Sequence, residues 1–408
     1  MSGELYKLKD VCTIIAGQSP ESKYYNAEGI GIPFFQGKAD FGVLYPEIRV
    51  YCSQPTKIAE KDDILLSVRA PVGPTNLAPC RVCIGRGLTA IRPSEKLNLK
   101  YLLYYFRYFE AQLQQKGTGT TFKAITQDII KNLEIPVPPL SEQEHIISRV
   151  EELFSQLDSG VETLKKIKQQ LAVYRQAVLN EAFKGAFTKH QHLNIKLDWA
   201  DQKETLTLPI LPNEWQYIAL SQLGELGRGK SKHRPRNDVI LFENGKYPFI
   251  QTGDVKAAKQ YITEWSKMYG EIGLQQSKLW PKGTLCITIA ANIAETAFLG
   301  IDACFPDSVV GFTPFDFILP EYVRYFIESQ KIRLWAYAPA TAQKNINLDT
   351  LENLIIPYCS YEEQKEVVSE IEARMTICDS IEQTVDRALQ QAEAMRQSIL
   401  KQAFERRF

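Results

Sequence analysis

The sequence predicts an α+β chain. Two mixed α/β domains are separated by two long antiparallel coiled-coil helices, and the whole is an internal two-fold pseudo-repeat. Three observations carry this: a repeat with a period of 221 residues, a proline-free heptad seam in each copy, and short β-branched and aromatic runs in each half. The elements divide as 1–137 (first domain), 138–185 (first long helix), 186–357 (second domain) and 358–408 (second long helix).

The repeat sets the frame, because self-similarity at a fixed period outranks any local signal. Shifted by 221 residues, Ile135 to Phe183 falls on Ile356 to Phe404 without a gap, and 16 of the 49 positions are identical. Among the identities are Asp158/Asp379, Arg175/Arg396, Gln143/Gln364 and Phe183/Phe404. The domains repeat more faintly. Ile32-Pro-Phe-Phe-Gln36 resembles Tyr247-Pro-Phe-Ile-Gln251, Asp63-Ile-Leu-Leu-Ser67 resembles Gly283-Thr-Leu-Cys-Ile-Thr288, and Lys123-Ala-Ile125 precedes Lys344-Asn-Ile346 by the same 221. Gly, Pro and Asn break the strand-like runs, and a short aromatic helix is expected at Leu99–Phe109 and at Glu321–Trp335. A common frame with divergent loops implies one scaffold carrying two different binding surfaces.

Each long helix opens on Ile-Pro and then a capping signal, Ser141-x-x-Glu144 and Ser360-x-x-Glu363. In the first, apolar or small residues recur in steps of four and three: Ile146, Val150, Leu153, Leu157, Gly160, Leu164, Ile167, Leu171, Tyr174, Val178. The second seam runs Val367, Ile371, Arg374, Cys378, Ile381, Val385, Ala388, Ala392, Met395, Ile399. Bulky residues of one can interdigitate with small residues of the other. Helices of ~43 residues are ~65 Å long. Residues 186–355 link the end of one to the start of the other, so an antiparallel pair spares the connection a full-length return and implies a dumbbell.

Composition narrows the function classes. Forty-eight Lys+Arg balance 48 Asp+Glu, 44% of residues are hydrophobic and mean hydropathy is -0.23, which describes an ordinary globular chain. Binding of nucleic acid by bulk charge would need a more basic protein than pI 6.9, so such binding must rest on local patches. Residues 1–137 hold 17 Lys+Arg against 13 Asp+Glu, and residues 191–357 hold 17 against 18. The longest apolar run, Cys286 to Ala294, is too short for a membrane span, and the N-terminus carries no signal pattern, so a cytoplasmic location without membrane contact is expected. Eight cysteines are expected as free thiols, and Cys80-x-x-Cys83 lacks a second pair at zinc spacing. His190 and His192 lie in a polar linker, and no metal site is expected.

The sharpest local motif is Gly224-Glu-Leu-Gly-Arg-Gly229-Lys230-Ser231, which fits the phosphate-cradling G-x-x-x-x-G-K-[ST] pattern. The pattern needs a helix to follow, and Pro235 with the surrounding turn residues opposes one. The same stretch reads better as a cationic loop, with Arg228, Lys230, Lys232, Arg234 and Arg236 beside His233 and no acid before Asp238. A solvated charged loop is the competing reading. The matching loop of the first domain has Ser19 and then Lys23 next to Tyr24, Tyr25 and Asn26.

Further contact candidates occupy loops that the repeat places alike: Gln36 and Lys38 with Gln251 and Thr252; Arg69 with Asn292; Thr118, Thr120, Thr121 and Lys123 with Thr341, Gln343 and Lys344. Arg, Lys, Gln and Asn suit base edges, and Thr suits phosphate. No residue is expected to be catalytic. There is no Asn-Pro-Pro-aromatic tetrapeptide and no Gly-rich adenosylmethionine loop, and the Glu363-Gln-Lys365 triplet opens a coiled-coil helix.

Two variable domains, each followed by a long helix that begins Ile-Pro-Val-Pro-Pro-Leu-Ser-Glu-Gln-Glu (135–144) and ends Arg-Gln-Ala-Val-Leu-Asn-Glu-Ala-Phe-Lys-Gly (175–185), resemble a type I restriction-modification specificity subunit. Leu211-Pro-Asn-Glu-Trp215 and Tyr247-Pro-Phe-Ile-Gln-Thr-Gly-Asp254 fit the same pattern, while Ile356-Pro-Tyr-Cys-Ser-Tyr lacks the double proline. The resemblance implies two target recognition domains on double-stranded DNA, each reading one half of a bipartite asymmetric site, with the helices as a ruler. It implies two modification (adenine methyltransferase) subunits and restriction subunits as partners. S-adenosylmethionine, ATP and Mg would be used by those partners, and this chain would bind no cofactor itself. Two alternatives come from other classes: a two-headed coiled-coil scaffold for protein partners without DNA, and a P-loop ATPase.

Overall fold

The computed structural model describes residues 4–117, 124–188, 210–212, 214–232, 235–337 and 345–405. They fall into two compact units, one from Met1–Lys166 with Val385–Phe408 and the other from Ile167–Thr384. Each long helix therefore contributes to both.

In the first unit the strand Glu4–Lys7 pairs antiparallel with Glu134–Val137, closing the domain at the root of its helix. A four-stranded antiparallel sheet runs in the order Cys12–Ala16, Leu88–Pro93, Ile64–Ser67, Thr75–Leu77. Side chains alternate across it, as strand geometry demands. Ile64, Leu66 and Ile91 share one core with Tyr101, Leu102 and Phe106 of the helix Leu99–Lys116. Leu65 and Ala90 face the other way, onto Phe35 and Ile84 of a second sheet built of very short strands.

The second unit repeats the plan. Gln216–Ala219 pairs with Ile355–Tyr358, and a five-stranded sheet runs Gly224–Arg228, Val309–Pro314, Leu285–Thr288, Thr296–Leu299, Tyr261–Ile262. Tyr247–Phe249 and Lys267–Tyr269 form a separate pair. The aromatic helix is divided into Pro320–Ser329 and Lys331–Tyr337. Among the described residues, no helix is long and apolar enough to cross a membrane.

The long helices span Leu140–Ala182 and Tyr361–Phe404, and their starts obey the 221-residue shift. Only one capping signal forms as expected. The Glu363 carboxylate accepts from the Ser360 backbone N–H at 3.1 Å, and the Glu363 N–H donates to the Ser360 hydroxyl at 3.3 Å. Ser141 instead lies inside the first helix, because Pro139 is the cap position and its carbonyl accepts from the N–H groups of Glu142 and Gln143.

The seams also drift from the heptad. Gly160 and Tyr174 are exposed, while the neighbouring Val161 and Arg175 are half-buried; Ile381 and Met395 likewise give way to Glu382 and Arg396. The displacement is local, one position at each of these points, because a helix of 3.6 residues per turn does not keep a strict 3.5-residue alternation; Leu171, Val178, Val385 and Ile399 stay buried as expected. The arginines can sit there because their methylene stems cover apolar surface while the guanidinium reaches water.

Those arginines fasten the helix pair within each unit. In the second, Arg175 donates to Asp379 at 2.6 Å and to Glu382 at 3.1 Å. In the first, Arg396 pairs with Asp158 and lies over the Phe154 ring at 4.8 Å. Asp158 and Asp379, like Arg175 and Arg396, are related by the repeat, so one antiparallel clip is used twice. Asp158 is 56% exposed, and Asp158→Ala is expected to cost about 0.5–1 kcal/mol. A thermodynamic cycle with Arg396→Met checks this; a coupling near zero would show the pair to be inert.

Candidate nucleic-acid interface

The first unit gathers a cleft of about 200 Å³ lined by Gln36, Lys38, Ser67, Arg69, Arg86 and two glycines. Backbone geometry brings these residues together. Gly85-Arg86-Gly87-Leu88 is a tight turn closed by the Leu88 N–H on the Gly85 carbonyl at 2.9 Å. A Cβ on Gly87 would lie 2.3 Å from the Gln36 carbonyl, and one on Gly85 would lie 3.2 Å from the Gln36 Cα, so the glycines let this turn approach the Gln36 loop. Ser19 steadies the turn, its hydroxyl accepting from the Arg86 N–H at 3.3 Å. Asp40 caps the opposite loop, accepting from the Gln36 N–H at 3.0 Å. Arg69 is held by an isolated bridge to Ala124.

Lys38, Arg69 and Arg86 are exposed, and none makes an ion pair among the described residues. Three exposed cations beside Gln36 form a site for an anionic, hydrogen-bonding surface. Lys23 is not on this cleft; it pairs with Glu21 at 2.6 Å and lies over the Tyr24 ring at 4.9 Å. Sequence reasoning missed Arg86, although a Gly-Arg-Gly turn was its available signal.

The second unit places the same backbone joints around different side chains. The N–H of Ile289 donates to the Ser308 carbonyl as that of Val68 donates to Gly87, both at 3.0 Å, and the bridge Ala290–Asn345 matches Arg69–Ala124. Ala290 thus stands at the position of Arg69, and Asn292 lies two residues beyond it, near Lys256 at 3.5 Å. Arg86 is replaced by Asp307, a reversal of charge at the turn. Asp307 recruits cations from elsewhere: Arg236 pairs with its carboxylate at 2.7 Å and the Arg228 Nε donates to its carbonyl at 3.0 Å.

Two adjoining clefts of about 300 and 340 Å³ result, sharing Arg236, Thr252 and Ser308. Gln251 and Lys267 line the first, and Arg228 and Asn345 the second. Asp254 caps the Gln251 loop as Asp40 caps Gln36, accepting from the Gln251 N–H at 2.7 Å. Lys267, Asn237 and Asn345 were not anticipated; nothing local distinguishes them, since strand pairing and loop return bring them in.

The cationic loop departs from its expected form. Gly224–Arg228 is a strand, and the loop after it is tied to the domain rather than extended. The Lys232 N–H donates to Gln276 at 2.6 Å, and the Lys230 carbonyl accepts from Ser277 at 2.9 Å. Phosphate cradling is excluded, because the Gly229 N–H is spent on the Val309 carbonyl at 2.9 Å and a strand, not a helix, organises the segment. Arg234 lies outside the described residues, as do Thr118, Thr120, Thr121, Lys123, Thr341, Gln343 and Lys344.

A family model described as the type I restriction modification DNA specificity domain matches residues 3–172 and again 212–391. The chain belongs to this family. Its two matches coincide with the two copies of the repeat. The MjaX specificity subunit of Methanocaldococcus jannaschii is 43% identical over 168 residues, covering 41% of this chain and 39% of that protein. The EcoBI specificity subunit of Escherichia coli is 26% identical over 321 residues, covering 76% of this chain and 66% of that one. The matches thus span less than two thirds of these relatives' own lengths. A solved structure titled for complex assembly and conformational transition of the type I R-M system aligns over 99% of this chain and 98% of its own, with a TM-score of 0.71 at 18% identity. At that identity the likeness establishes the fold: two mixed α/β domains and two long helices.

Proposed function

We propose that the chain is the DNA sequence-recognition subunit of a type I restriction-modification complex, reading a bipartite, asymmetric site with one domain per half-site. The observation that carries this is the pair of equivalent clefts. One backbone frame, closed by the same hydrogen bonds, presents Lys38, Arg69 and Arg86 in one copy and Arg228, Arg236 and Asp307 in the other. Equivalent clefts lined by unlike side chains are what unlike half-sites require. The cation-lined clefts also argue against the scaffold alternative, which calls for apolar ones.

On this reading the chain supplies recognition and no chemistry, and it works in the cytoplasm. Two modification subunits would bring S-adenosylmethionine and the adenine methyltransferase site; restriction subunits would add ATP- and Mg-dependent cleavage. Gln36, Lys38, Arg69 and Arg86 would contact one half-site. Arg228, Arg236, Gln251, Thr252 and Asn345 would contact the other, with Ser19 positioning Arg86. Lys23, Lys230, Lys232 and Asn292 lie outside the clefts and would meet flanking phosphates. The loops carrying Thr118, Thr120, Thr121 and Lys123, and Thr341, Gln343 and Lys344, adjoin the bridges at Ala124 and Asn345 in sequence and are proposed as further contacts.

Base-resolution methylation mapping in a host that expresses the chain with its modification subunit tests the proposal. A split, asymmetric adenine-methylated motif with a fixed gap is the expected result. A continuous motif, or no new methylation from a complex that still assembles, would overturn it.

A further inference from the structure

The two units carry the same aromatic knot, filled in one and open in the other. In the first, Phe404 meets Tyr101 edge-on at 5.2 Å and Tyr105 at 5.5 Å. The repeat places Phe183, Tyr322 and Phe326 alike, with both contacts at 5.1 Å. The first unit then adds a third ring: Tyr108 stacks on Phe404 at 5.6 Å, 21° from parallel, and its hydroxyl donates to Glu405 at 3.2 Å.

In the second unit the position of Tyr108 is Ser329, and that of Glu405 is Lys184. The Ser329 hydroxyl turns back to donate to the Phe326 carbonyl at 2.6 Å, so no side chain of this position replaces the ring. A cavity of about 180 Å³ remains, walled by Phe183, Phe326 and Tyr217, with Ser329 inside and Lys184 and Arg333 at its mouth. An apolar cavity of roughly 150 Å³ suffices for a benzene ring; this one has the volume and an aromatic wall, with Asn180 and Gln330 adding polar atoms to its lining. Tyr108 shows within the same molecule how such a ring is held: stacked on Phe404, with its polar end on Glu405, the next residue. At that end the charge is inverted, from a carboxylate to an ammonium. Lys184 also pairs with Glu181 at 2.7 Å, but both groups are about half exposed and can exchange partners at little cost.

We propose that this cavity is a binding site for a small aromatic carboxylate, its ring stacked on Phe183 and its carboxylate paired with Lys184. The inference stands apart from the clefts assigned to DNA and shares no residue with them. Burial pushes the Tyr217 phenol up to about 12, so this wall stays neutral at physiological pH and does not repel an anion.

Saturation-transfer NMR on the full-length chain, with 4-hydroxybenzoate as probe and 4-methylphenol as its neutral counterpart, tests the site. Transfer to 4-hydroxybenzoate is expected, with weaker transfer to 4-methylphenol. Ser329→Tyr supplies the missing ring from within and is expected to abolish transfer without lowering the unfolding temperature. Lys184→Glu, a surface change that restores the first unit's acid, is expected to weaken the anion by roughly tenfold and leave 4-methylphenol unaffected. No transfer in the unsubstituted chain, or undiminished transfer in Ser329→Tyr, would overturn the site. Equal binding of both probes, or an unchanged anion in Lys184→Glu, would overturn the role of Lys184.

Discussion

Replacing Lys38, Arg69 and Arg86 together with alanine is expected to lower the affinity of the assembled complex for its DNA by roughly two to four orders of magnitude at physiological salt. The three cations converge on one cleft, are exposed, and make no ion pair among the described residues. Each is expected to contribute on the order of 1–2 kcal/mol to a nucleic-acid contact, more where a base edge is read than where a phosphate is neutralised. The salt dependence separates those roles. Every lost phosphate contact should flatten the plot of log affinity against log salt by ~0.9, so a slope reduced by nearly three means that all three meet phosphate. A smaller reduction with the same loss assigns at least one to a base, and methylation specificity should then relax in one half-site only. Unchanged affinity and slope would remove this cleft from the interface. The substitutions should leave folding intact, because these side chains cover no core.

The contrast between the two clefts marks what the sequence made legible. Long elements with a strong period were readable: the helices of 43 and 44 residues begin where the repeat puts them, and the repeated run at Asp63–Ser67 falls on a strand, which proves to be buried on both faces. The chemistry inside the clefts was only partly readable. Gln36, Lys38 and Arg69 meet in space as loop position suggested, but Arg86 joins them through a turn that two glycines allow to approach. In the second unit the cations looked like a projecting finger because no acid lies near them in sequence. Asp307, 71 residues after Arg236, neutralises one of them and anchors the segment. Such long-range pairing has no local signature. The repeat held the clue, since it sets Asp307 on Arg86, but it becomes informative only once the turn is known to line a cleft.

The largest loss of stability is expected from two glutamines at the roots of the long helices. Gln143 is fully buried; its carbonyl accepts from the Asn98 N–H at 2.8 Å, and its amide donates to the carbonyls of Lys96 at 2.9 Å and Pro138 at 2.8 Å. Gln364 does the same in the second unit, accepting from the Leu319 N–H at 2.7 Å and donating to Phe317 at 3.3 Å and Cys359 at 2.9 Å. Asn98 and Leu319 are the N-cap residues of the aromatic helices Leu99–Lys116 and Pro320–Ser329, so one side chain locks that cap to the strand leading into the long helix. Gln143→Leu removes all three bonds and strands backbone groups away from water, at a cost of ~2–4 kcal/mol against the 5–15 kcal/mol of a typical domain. Gln143→Glu retains the acceptor but sets a carboxylate against two carbonyls, which raises its folded pKa above the ~4.3 of the unfolded chain. The part of its destabilisation due to ionisation is therefore absent below that value and grows as pH rises towards the folded pKa, because ionisation is then favoured in the unfolded chain. Thermal unfolding across pH discriminates the accounts. Gln143→Leu should be pH-independent relative to the parent chain, while Gln143→Glu should approach the parent's stability only in acid. If both variants unfold with the parent at neutral pH, these bonds do not hold the domain to its helix.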